Sequence, residues 1–290
     1  MSDNSDEDSG QQSDLFQASS DRALLDRLIE ESRLYITSKS YSELLNFVVR
    51  LRNFAPFNAM LLQVQKPGLT YAMSLREWRV FGRRPKEGAR PLLILWPFGP
   101  VALVYDIQDT EGQPLPTDIW SFHAQGSITP ELMNRCVRKL FPQNIECKWV
   151  DTGDGRAGLL RIVHRARTEK EANRYVIQIN QNHDPATQLT TLAHELAHLF
   201  LGHLGGDKKL KITPRDVPDH SKRELEAESV AFLVCCRNGV VPKSQSYLSE
   251  FVNSNTTIRE LDVYQILRAA GQVETLLALT VSDLLSRTQT

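Results

Sequence analysis

The sequence predicts an α+β protein in three parts: a disordered acidic tail (1–19), a small N-terminal helix-plus-sheet domain (20–120), and a C-terminal domain (121–290) with a small sheet around one histidine-bearing helix. Three observations predict this division. The first residues are acidic and polar. Helical periodicities are followed by β-type runs in the second part, and an apolar helical stretch at 188–206 contains the five residues HELAH. A length of 290 residues accommodates one or two domains besides the tail.

The tail is defined by its composition. Residues 1–19 contain five Asp or Glu residues and no Lys or Arg, and most of the others are Ser, Gln, Asn or Gly. Such a segment buries too little apolar surface to offset the conformational entropy that it would lose on ordering. We therefore expect it to be disordered.

The N-terminal domain is predicted to begin with helices and to end with strands. Apolar residues recur first at helical spacing and later in β-rich runs. Pro56 begins the third helix, and Lys66-Pro67-Gly68 ends it. The predicted helices are residues 21–38, 40–54 and 56–65, the predicted strands lie within 91–98 and 101–112, and residues 83–91 are predicted to form a turn.

The C-terminal domain is predicted to combine helices with two strands. Thr129 with Pro130, and Asp184 with Pro185, each mark a helix start, because a capping side chain precedes a first-turn proline. Two glycines, 205 and 206, are expected to end the central helix. The other predicted elements are strands at 158–166 and 174–180, a glutamate-rich helix at 221–236, and closing helices at 244–252, 257–279 and 281–287.

The central helix carries the pattern H-E-x-x-H as His194, Glu195 and His198. Residues four apart lie one turn apart on the same helix face, so the two imidazoles can bind one metal ion. Glu195 lies one step round the helix, where its carboxylate can reach a water molecule as general base. The pattern predicts His194 and His198 as metal ligands and Glu195 as the catalytic residue.

A hydrolytic zinc site needs a third protein ligand and one open coordination position. Glu224 and Glu228 are four apart on the glutamate-rich helix and share a face, whereas Glu226 points elsewhere. We assign Glu224 as the ligand and Glu228 as an outer carboxylate that accepts the other ring N–H of a ligating histidine. The reverse assignment, with Glu228 as the ligand, stays open.

Three further residues are candidates for stabilising a developing oxyanion. His220 lies in a polar, proline-bearing segment (207–223) that we expect to form a loop over the cleft. Tyr247 and Tyr264 follow it in the chain, and the sequence does not choose among the three. His203 is interpreted as a C-terminal helix residue that the helix dipole favours.

The stretches IQIN (177–180), HELAHLFLGH (194–203) and ELEAESVAFLV (224–234) resemble the ImmA/IrrE family of zinc metallopeptidases, a gluzincin-type group with a zincin-like fold. The first Glu of that family's E-x-E-A-N/D motif matches Glu224, and Glu228 takes the place of its Asn or Asp. The resemblance implies one Zn²⁺ per chain, held by His194, His198 and a glutamate.

Basic residues are concentrated in the N-terminal domain, and three aromatic residues, Trp78, Phe81 and Trp96, are interleaved with them. Cations for phosphates and aromatic faces for bases are typical of single-strand binding, although a charged surface over an ordinary core has the same composition. The candidate nucleic-acid contacts are Arg76, Arg79, Arg83, Arg84 and Lys86.

The stretch FNAMLLQVQKPG (57–68), the following SLREWRVFGRRPKEGARPLLIL (74–95) and QDTEGQPLP (108–116) resemble the N-terminal domain of ArdC-type antirestriction proteins. That resemblance implies single-stranded DNA binding by a domain that precedes an H-E-x-x-H metallopeptidase-like domain.

Composition excludes several other classes of function. A net charge of −1 provides no overall attraction to nucleic acid or membrane, and no stretch has the roughly twenty apolar residues of a membrane span. The four cysteines have no C-x-x-C spacing, and the two glycines at 82 and 88 are not followed by the Gly-Lys-Ser/Thr of a phosphate loop. Reduced thiols and an acidic N-terminus lead us to expect a cytoplasmic protein without a membrane partner.

The leading hypothesis is a zinc-dependent metallo-endopeptidase that hydrolyses peptide bonds of a specific intracellular protein. The first alternative is a single-stranded DNA-binding, antirestriction-like protein whose zinc domain is structural or regulatory. A zinc-dependent sensor without proteolysis is the second alternative.

Overall fold

The structure is a computed structural model, and it describes residues 38–96, 99–114, 128–151, 157–168, 171–242 and 261–279. The predicted acidic tail, the predicted first helix apart from Ser38, and Tyr247 lie outside these ranges. So do the predicted closing helices at 244–252 and 281–287.

The described residues form a mixed α+β structure, as predicted, with short strands in three separate sheets. No helix within the described ranges is both long and apolar enough to cross a lipid bilayer. The helices are α1 (Ser38–Arg50), α2 (Pro56–Gln65), α3 (Leu75–Val80), α4 (Pro130–Leu140), α5 (Pro185–Phe200), α6 (His220–Arg237) and α7 (Val263–Leu276). The strands are β1 (Ala72–Ser74), β2 (Arg83–Pro85), β3 (Leu92–Trp96), β4 (Gly99–Asp106), β5 (Thr110–Gly112), β6 (Ile145–Val150), β7 (Gly158–His164) and β8 (Arg174–Asn180).

The chain divides into two compact units. The first consists of Met1–Leu34 and Asn58–Ile119, and the second consists of Tyr35–Phe57 and Trp120–Thr290. Residues 35–57, which the sequence analysis assigns to the N-terminal domain, therefore group with the C-terminal residues. Arg237 contributes to this grouping within the second unit, because its guanidinium donates to the carbonyl oxygens of Val48 and Phe54 at 2.7 and 2.8 Å.

The main sheet of the first unit is antiparallel in the order β1-β4-β3, with β3 at one edge. Two amide side chains of α2 bind the backbone of that edge. Asn58 exchanges hydrogen bonds with both polar backbone groups of Leu95, and Gln65 does the same with Leu93, at 2.8–3.0 Å. The amides replace a neighbouring strand and satisfy an edge that would otherwise be open to pairing.

The segment predicted as a turn at 83–91 is corrected by the structure, because its first three residues form β2, which pairs with β5. Arg83 stabilises this pairing by donating to Thr110 and to the carbonyl oxygen of Gln113. Helix α3 was not predicted either, although Ser74 and Glu77 form a reciprocal capping box at its start. Both errors concern elements of six residues or fewer, which carry too few residues for a periodicity.

The second unit contains a mixed sheet in the order β6-β8-β7. The central β8 is parallel to β6 and antiparallel to β7. Most β8 side chains are buried, whereas β7 is an edge strand with alternating partial exposure. Strands β7 and β8 were predicted from the sequence, whereas β6, whose exposed and buried residues are mixed, was not.

Helix starts in the second unit follow the capping residues that the sequence indicates. Thr129 accepts from the Leu132 N–H ahead of α4, and Asp184 accepts from two backbone N–H groups at the start of α5. Helices α5, α6 and α7 pack against one another and bury most of their apolar side chains.

Candidate active site

Helix α5 places the H-E-x-x-H residues beside the sheet. Its apolar side chains, including Leu192, Leu196 and Leu199, are fully buried and fix the rotation of the helix. The side chains of His194 and His198 are 19% and 16% exposed, so the two imidazoles lie at the border between the core and a cavity. Their rings are 4.7 Å apart between centroids.

Helix α6 supplies a carboxylate to the same point. The Nε2 atoms of His194 and His198 are 3.1 Å apart. The Glu224 carboxylate approaches both, with Oε2 3.4 Å from the Nε2 of His194 and Oε1 3.6 Å from the Nε2 of His198. These residues form the one group of three possible metal-ligand side chains found within the described ranges, with donor atoms within 4.8 Å of one another.

The spacing of the donor atoms agrees with a common metal ion. Ligands about 2.0–2.1 Å from a tetrahedral zinc ion lie roughly 3.3–3.4 Å apart, which follows from the tetrahedral angle. The separation of 3.1 Å between the two Nε2 atoms and the distances of 3.4 and 3.6 Å from the two Glu224 oxygens bracket this value. Two imidazoles and a carboxylate are also a donor set that divalent transition metals accept. The residues present therefore fit a divalent metal ion.

Glu228 lies on the other side of the His194 ring. Its Oε1 is 3.1 Å from the Nδ1 of His194, within ion-pair distance but outside aligned hydrogen-bond geometry. The carboxylates of Glu224 and Glu228 thus contact opposite nitrogens of one imidazole. This arrangement corresponds to the assignment in which Glu224 is a ligand and Glu228 an outer carboxylate.

In the absence of a metal, His194 is protonated and positively charged, whereas His198 is neutral. Burial opposes charge on His194, but Glu224 and Glu228 outweigh it and raise the pKa of His194 to about 10. Burial lowers the pKa of His198 to about 3, and the nearby charges of His194 and His203 act in the same direction. The hydrogen bond from His194 is the main reason that the pKa of Glu224 falls to about 2. A cation binding here takes the place of the proton on His194.

Glu195 faces strand β7. Burial raises the pKa of Glu195, while the charge of His194 and a hydrogen bond from the backbone N–H of Leu160 oppose the rise. Gly158 makes room for this carboxylate, because a Cβ atom there would lie 2.4 Å from Thr191 Cγ2 and 3.3 Å from Glu195 Oε1. Strand and helix together hold the carboxylate next to the histidine pair.

A cavity of about 1070 Å³ opens at this site. Its lining includes β7, the polar face of α5 and the N-terminal turns of α6. Residues that matter for the chemistry are His194, Glu195, His198, His220, Arg223, Glu224 and Glu228.

Of the candidate oxyanion residues that the structure describes, His220 lines the cavity and Tyr264 does not. His220 is the first residue of α6 rather than part of a loop, which corrects the prediction for 207–223, and its exposed ring lies 3.4 Å from Glu224. Tyr264 is absent from the cavity lining and packs edge-on against Phe57, with ring centroids 5.0 Å apart.

Arg223 also lines the cavity and was not predicted from the sequence, although it directly precedes Glu224 in the chain.

The end of α5 differs from the prediction. The helix ends at Phe200, and Gly202 rather than Gly205 adopts the left-handed backbone that stops it, with φ +75°. The Gly202 N–H donates to the Leu199 carbonyl and the His203 N–H to the His198 carbonyl, each at 3.0 Å, which is a Schellman motif. This turn brings the His203 ring back against His198. His203 therefore makes a direct side-chain contact with a site residue, in addition to the favourable position in the helix dipole that the sequence indicated.

The basic residues of the first unit fall into two groups. Three of the five predicted nucleic-acid contacts have partners: Arg83 binds Thr110 and Gln113, Arg84 lies 3.1 Å from Glu111, and Lys86 donates to the carbonyl oxygen of Gln108. The other two, Arg76 and Arg79 on α3, are exposed and have no ion pair with any residue that the structure describes. Trp78 is fully buried, so it is not available to stack on a base.

Comparison with known proteins gives three results. Among solved structures, the chain is similar to crystal structures of the antirestriction protein ArdC from the R388 plasmid. The Mn(II)-bound form has 15% identity and a TM-score of 0.39 over 84% of this chain and 97% of that one. The metal-free form has 14% identity and a TM-score of 0.35 over 85% and 98%. No significant match among curated proteins was found. Residues 157–237, which span β7 to α6 and include the whole His-His-Glu group, match the family model of the IrrE N-terminal-like domain, Peptidase_M78.

Proposed function

We propose that this protein is a zinc-dependent metallo-endopeptidase that hydrolyses peptide bonds of a specific intracellular protein. The observation that carries the proposal is the convergence of His194, His198 and Glu224 beside the Glu195 carboxylate. The match of residues 157–237 to a peptidase family model supports it. ArdC is named as an antirestriction protein, and the chemistry proposed for this chain does not depend on that activity.

His194, His198 and Glu224 would hold the metal ion through the two Nε2 atoms and the carboxylate. A bound zinc ion supplies Lewis acidity, lowering the pKa of a water molecule from about 15.7 toward about 7 and polarising the scissile carbonyl. Glu195 accepts a proton from the attacking water and returns it to the leaving amine nitrogen. Burial raises the pKa of Glu195, and a carboxylate with a raised pKa is a stronger base for accepting the proton of the water molecule.

Strand β7 is the proposed binding edge for the substrate. It lies at the edge of its sheet, and residues 157–160 line the cavity beside Glu195. An extended peptide that pairs with this edge would present its backbone carbonyl groups to the histidine pair. Main-chain pairing binds peptides irrespective of side chain, so the cavity side chains would provide selectivity.

The test of the mechanism is Glu195→Gln in the full chain. The variant should retain one zinc per chain by elemental analysis, and its rate of peptide cleavage should fall about 100- to 10,000-fold, because proton transfer by a positioned side chain contributes about 10²–10⁴-fold. Cleavage is measured on a proteome-derived peptide mixture by mass spectrometry.

Two controls belong to this experiment. Glu131→Gln, an exposed substitution on α4, should cleave like the wild type, and His194→Ala should lose the metal. Full cleavage by Glu195→Gln excludes the mechanism. Bound zinc without cleavage by the wild type would favour the sensor alternative.

A second candidate function is single-stranded DNA binding by the first unit, and it is favoured by the exposure of Arg76 and Arg79 without ion-pair partners among the described residues. Substituting both by Ala in the full chain should weaken binding of a fluorescent oligo(dT) and lower its salt dependence, because two phosphate contacts are lost. The charge-matched control is Arg138→Ala with Lys139→Ala on α4 of the second unit. Equal effects of the two double variants would remove this candidate.

A further inference from the structure

A chain of buried polar side chains continues from the outer face of His198. The Nδ1 atoms of His198 and His203 are 2.8 Å apart, and the Nε2 of His203 is 3.0 Å from Oε2 of Glu226. Arg215 forms an ion pair with the same Glu226 oxygen and lies 3.4 Å from His203 Nε2. The side chains of His203 and Glu226 are 2% and 0% exposed. His203 and Glu226 are therefore shielded from bulk water and make their hydrogen bonds within the protein.

The local backbone explains how His203 reaches His198. In the Schellman motif at the end of α5, His198 is the third residue from the end of the helix and His203 is the second residue beyond its cap. These two positions are commonly in side-chain contact, usually through apolar groups. Here the contact joins two imidazoles, and it is present because Gly202 adopts the left-handed conformation between them.

When His198 and His203 are both neutral, the contact of His203 with Glu226, which is shorter than its contact with Arg215, sets the order of protons along this chain. Glu226 is paired with Arg215 and accepts hydrogen bonds, so the Nε2 of His203 must carry its proton. The Nδ1 of His203 then has a free lone pair and accepts, and the Nδ1 of His198 must donate to it. His198 is left with an unprotonated Nε2, and that atom faces His194 and Glu224.

We propose that His203, Glu226 and Arg215 are positioning residues that hold His198 in its Nδ1–H tautomer, with the Nε2 lone pair directed at the metal site. The inference rests on the proposed function, in which His198 is a metal ligand. His194 is supported differently, by direct contact of its Nδ1 with Glu228. Hydrogen-bond partners of ligating histidines orient the ring and increase its basicity, and removing one weakens metal binding about 10- to 100-fold.

The first experiment measures the zinc dissociation constant of the full chain by competition with a chromophoric chelator. His203→Leu removes the acceptor for the His198 Nδ1–H and should weaken zinc binding about 10- to 100-fold. His203→Gln retains a carbonyl acceptor and should recover most of the affinity. The control is Asp207→Asn, which alters an equally buried hydrogen-bonded residue of the same unit, bonded to Tyr175 and Asn173, and should leave zinc affinity unchanged.

The second experiment determines the tautomer in the metal-free protein by ¹⁵N NMR of the histidine rings. We expect the Nδ1–H form of His198 in the wild type and its loss in His203→Leu. The Nε2–H form in the wild type, or a zinc affinity of His203→Leu within about twofold of the wild type, would overturn the inference. A wild-type protein that binds no zinc would instead overturn the proposed function, so the two failures are distinguishable.

Discussion

His194, Glu195 and His198 lie within five consecutive residues, so helix geometry alone fixes where they point relative to one another. Their juxtaposition was predictable for that reason. The choice of Glu224 over Glu228 as the third metal ligand was harder to predict. The two residues share a face of α6, and the sequence alone does not specify how that helix packs. The structure brings both carboxylates to His194, on opposite ring nitrogens.

At residue scale, Gly158→Ala tests the space reserved for Glu195. A Cβ atom there would lie 2.4 Å from Thr191 Cγ2 and 3.0 Å from the Gln178 carbonyl oxygen, so β7 or the Thr191 side chain must move, and the Glu195 carboxylate lies 3.3 Å from the same Cβ position. We expect a loss of about 1–3 kcal/mol in the free energy of unfolding in urea. We also expect at least tenfold slower peptide cleavage with zinc still bound. Gly271→Ala on α7, whose new Cβ would make an ordinary contact at 3.6 Å, is the control; it should leave cleavage unchanged and should not lower stability, because Ala favours the helix over Gly. A fully active Gly158→Ala would contradict the close approach.

The pKa of His194 gives a prediction about pH. Because it is raised to about 10 in the metal-free protein, zinc must displace a proton from His194 at any pH below that value. Zinc affinity should therefore increase by up to tenfold per unit as pH rises from about 6 to 8, and it should decrease as pH falls. Competition with a chelator whose own pH dependence is known measures this. A zinc affinity that stays constant between about pH 6 and 8 would show that His194 is neutral in the metal-free protein.

At the scale of elements, helix starts were predicted better than helix ends. Thr129, Pro130, Asp184 and Pro185 act through local hydrogen bonds and fixed backbone angles, and these are readable in the sequence. The end of α5 was placed too late because two glycines follow a third, Gly202, which already stops the helix. The sequence signal for it was a glycine four residues after His198, at the spacing that a Schellman motif requires.

Gly202→Ala tests this helix end. The backbone there has φ +75°, and a Cβ atom would also lie 3.2 Å from the Thr213 carbonyl oxygen. An Ala in the left-handed region costs about 1–2 kcal/mol, which should be visible in the free energy of unfolding. Gly202→Asn is the matched control and should lose less, because Asn tolerates this conformation. Equal stability of the Ala variant and the wild type would mean that the turn readily adopts another geometry.

At the scale of the whole molecule, the grouping of residues 35–57 with the second unit was not predictable from the pattern of helices and strands. A buried ion pair contributes to it. Arg237 and Glu274 are each 4% exposed, and the Arg237 Nε lies 2.8 Å from Glu274 Oε1. The same guanidinium donates to carbonyl oxygens at Val48 and Phe54. Segments far apart in sequence are thus tied by one side chain.

Arg237→Met should lower the free energy of unfolding by about 3–5 kcal/mol, since it leaves the Glu274 charge buried without a partner. Adding Glu274→Met should recover a large part of this loss, because an apolar pair can replace a buried ion pair. Urea unfolding of both variants and the wild type provides the comparison. If the double variant is as unstable as the single one, the cost arises from the orphaned backbone carbonyl groups and not from the carboxylate.

The sequence by itself determined the features that act over a few residues: the helix starts, the strands β7 and β8, and the pairing of two imidazoles with a neighbouring carboxylate. These follow from residue spacing and from local hydrogen bonds. Only the tertiary structure decided that Glu224 reaches both imidazoles, that Glu228 contacts the far side of His194, and that His203 and Glu226 support His198. The reason is that distances between helices depend on how their buried side chains pack, and no local pattern in the chain specifies that packing.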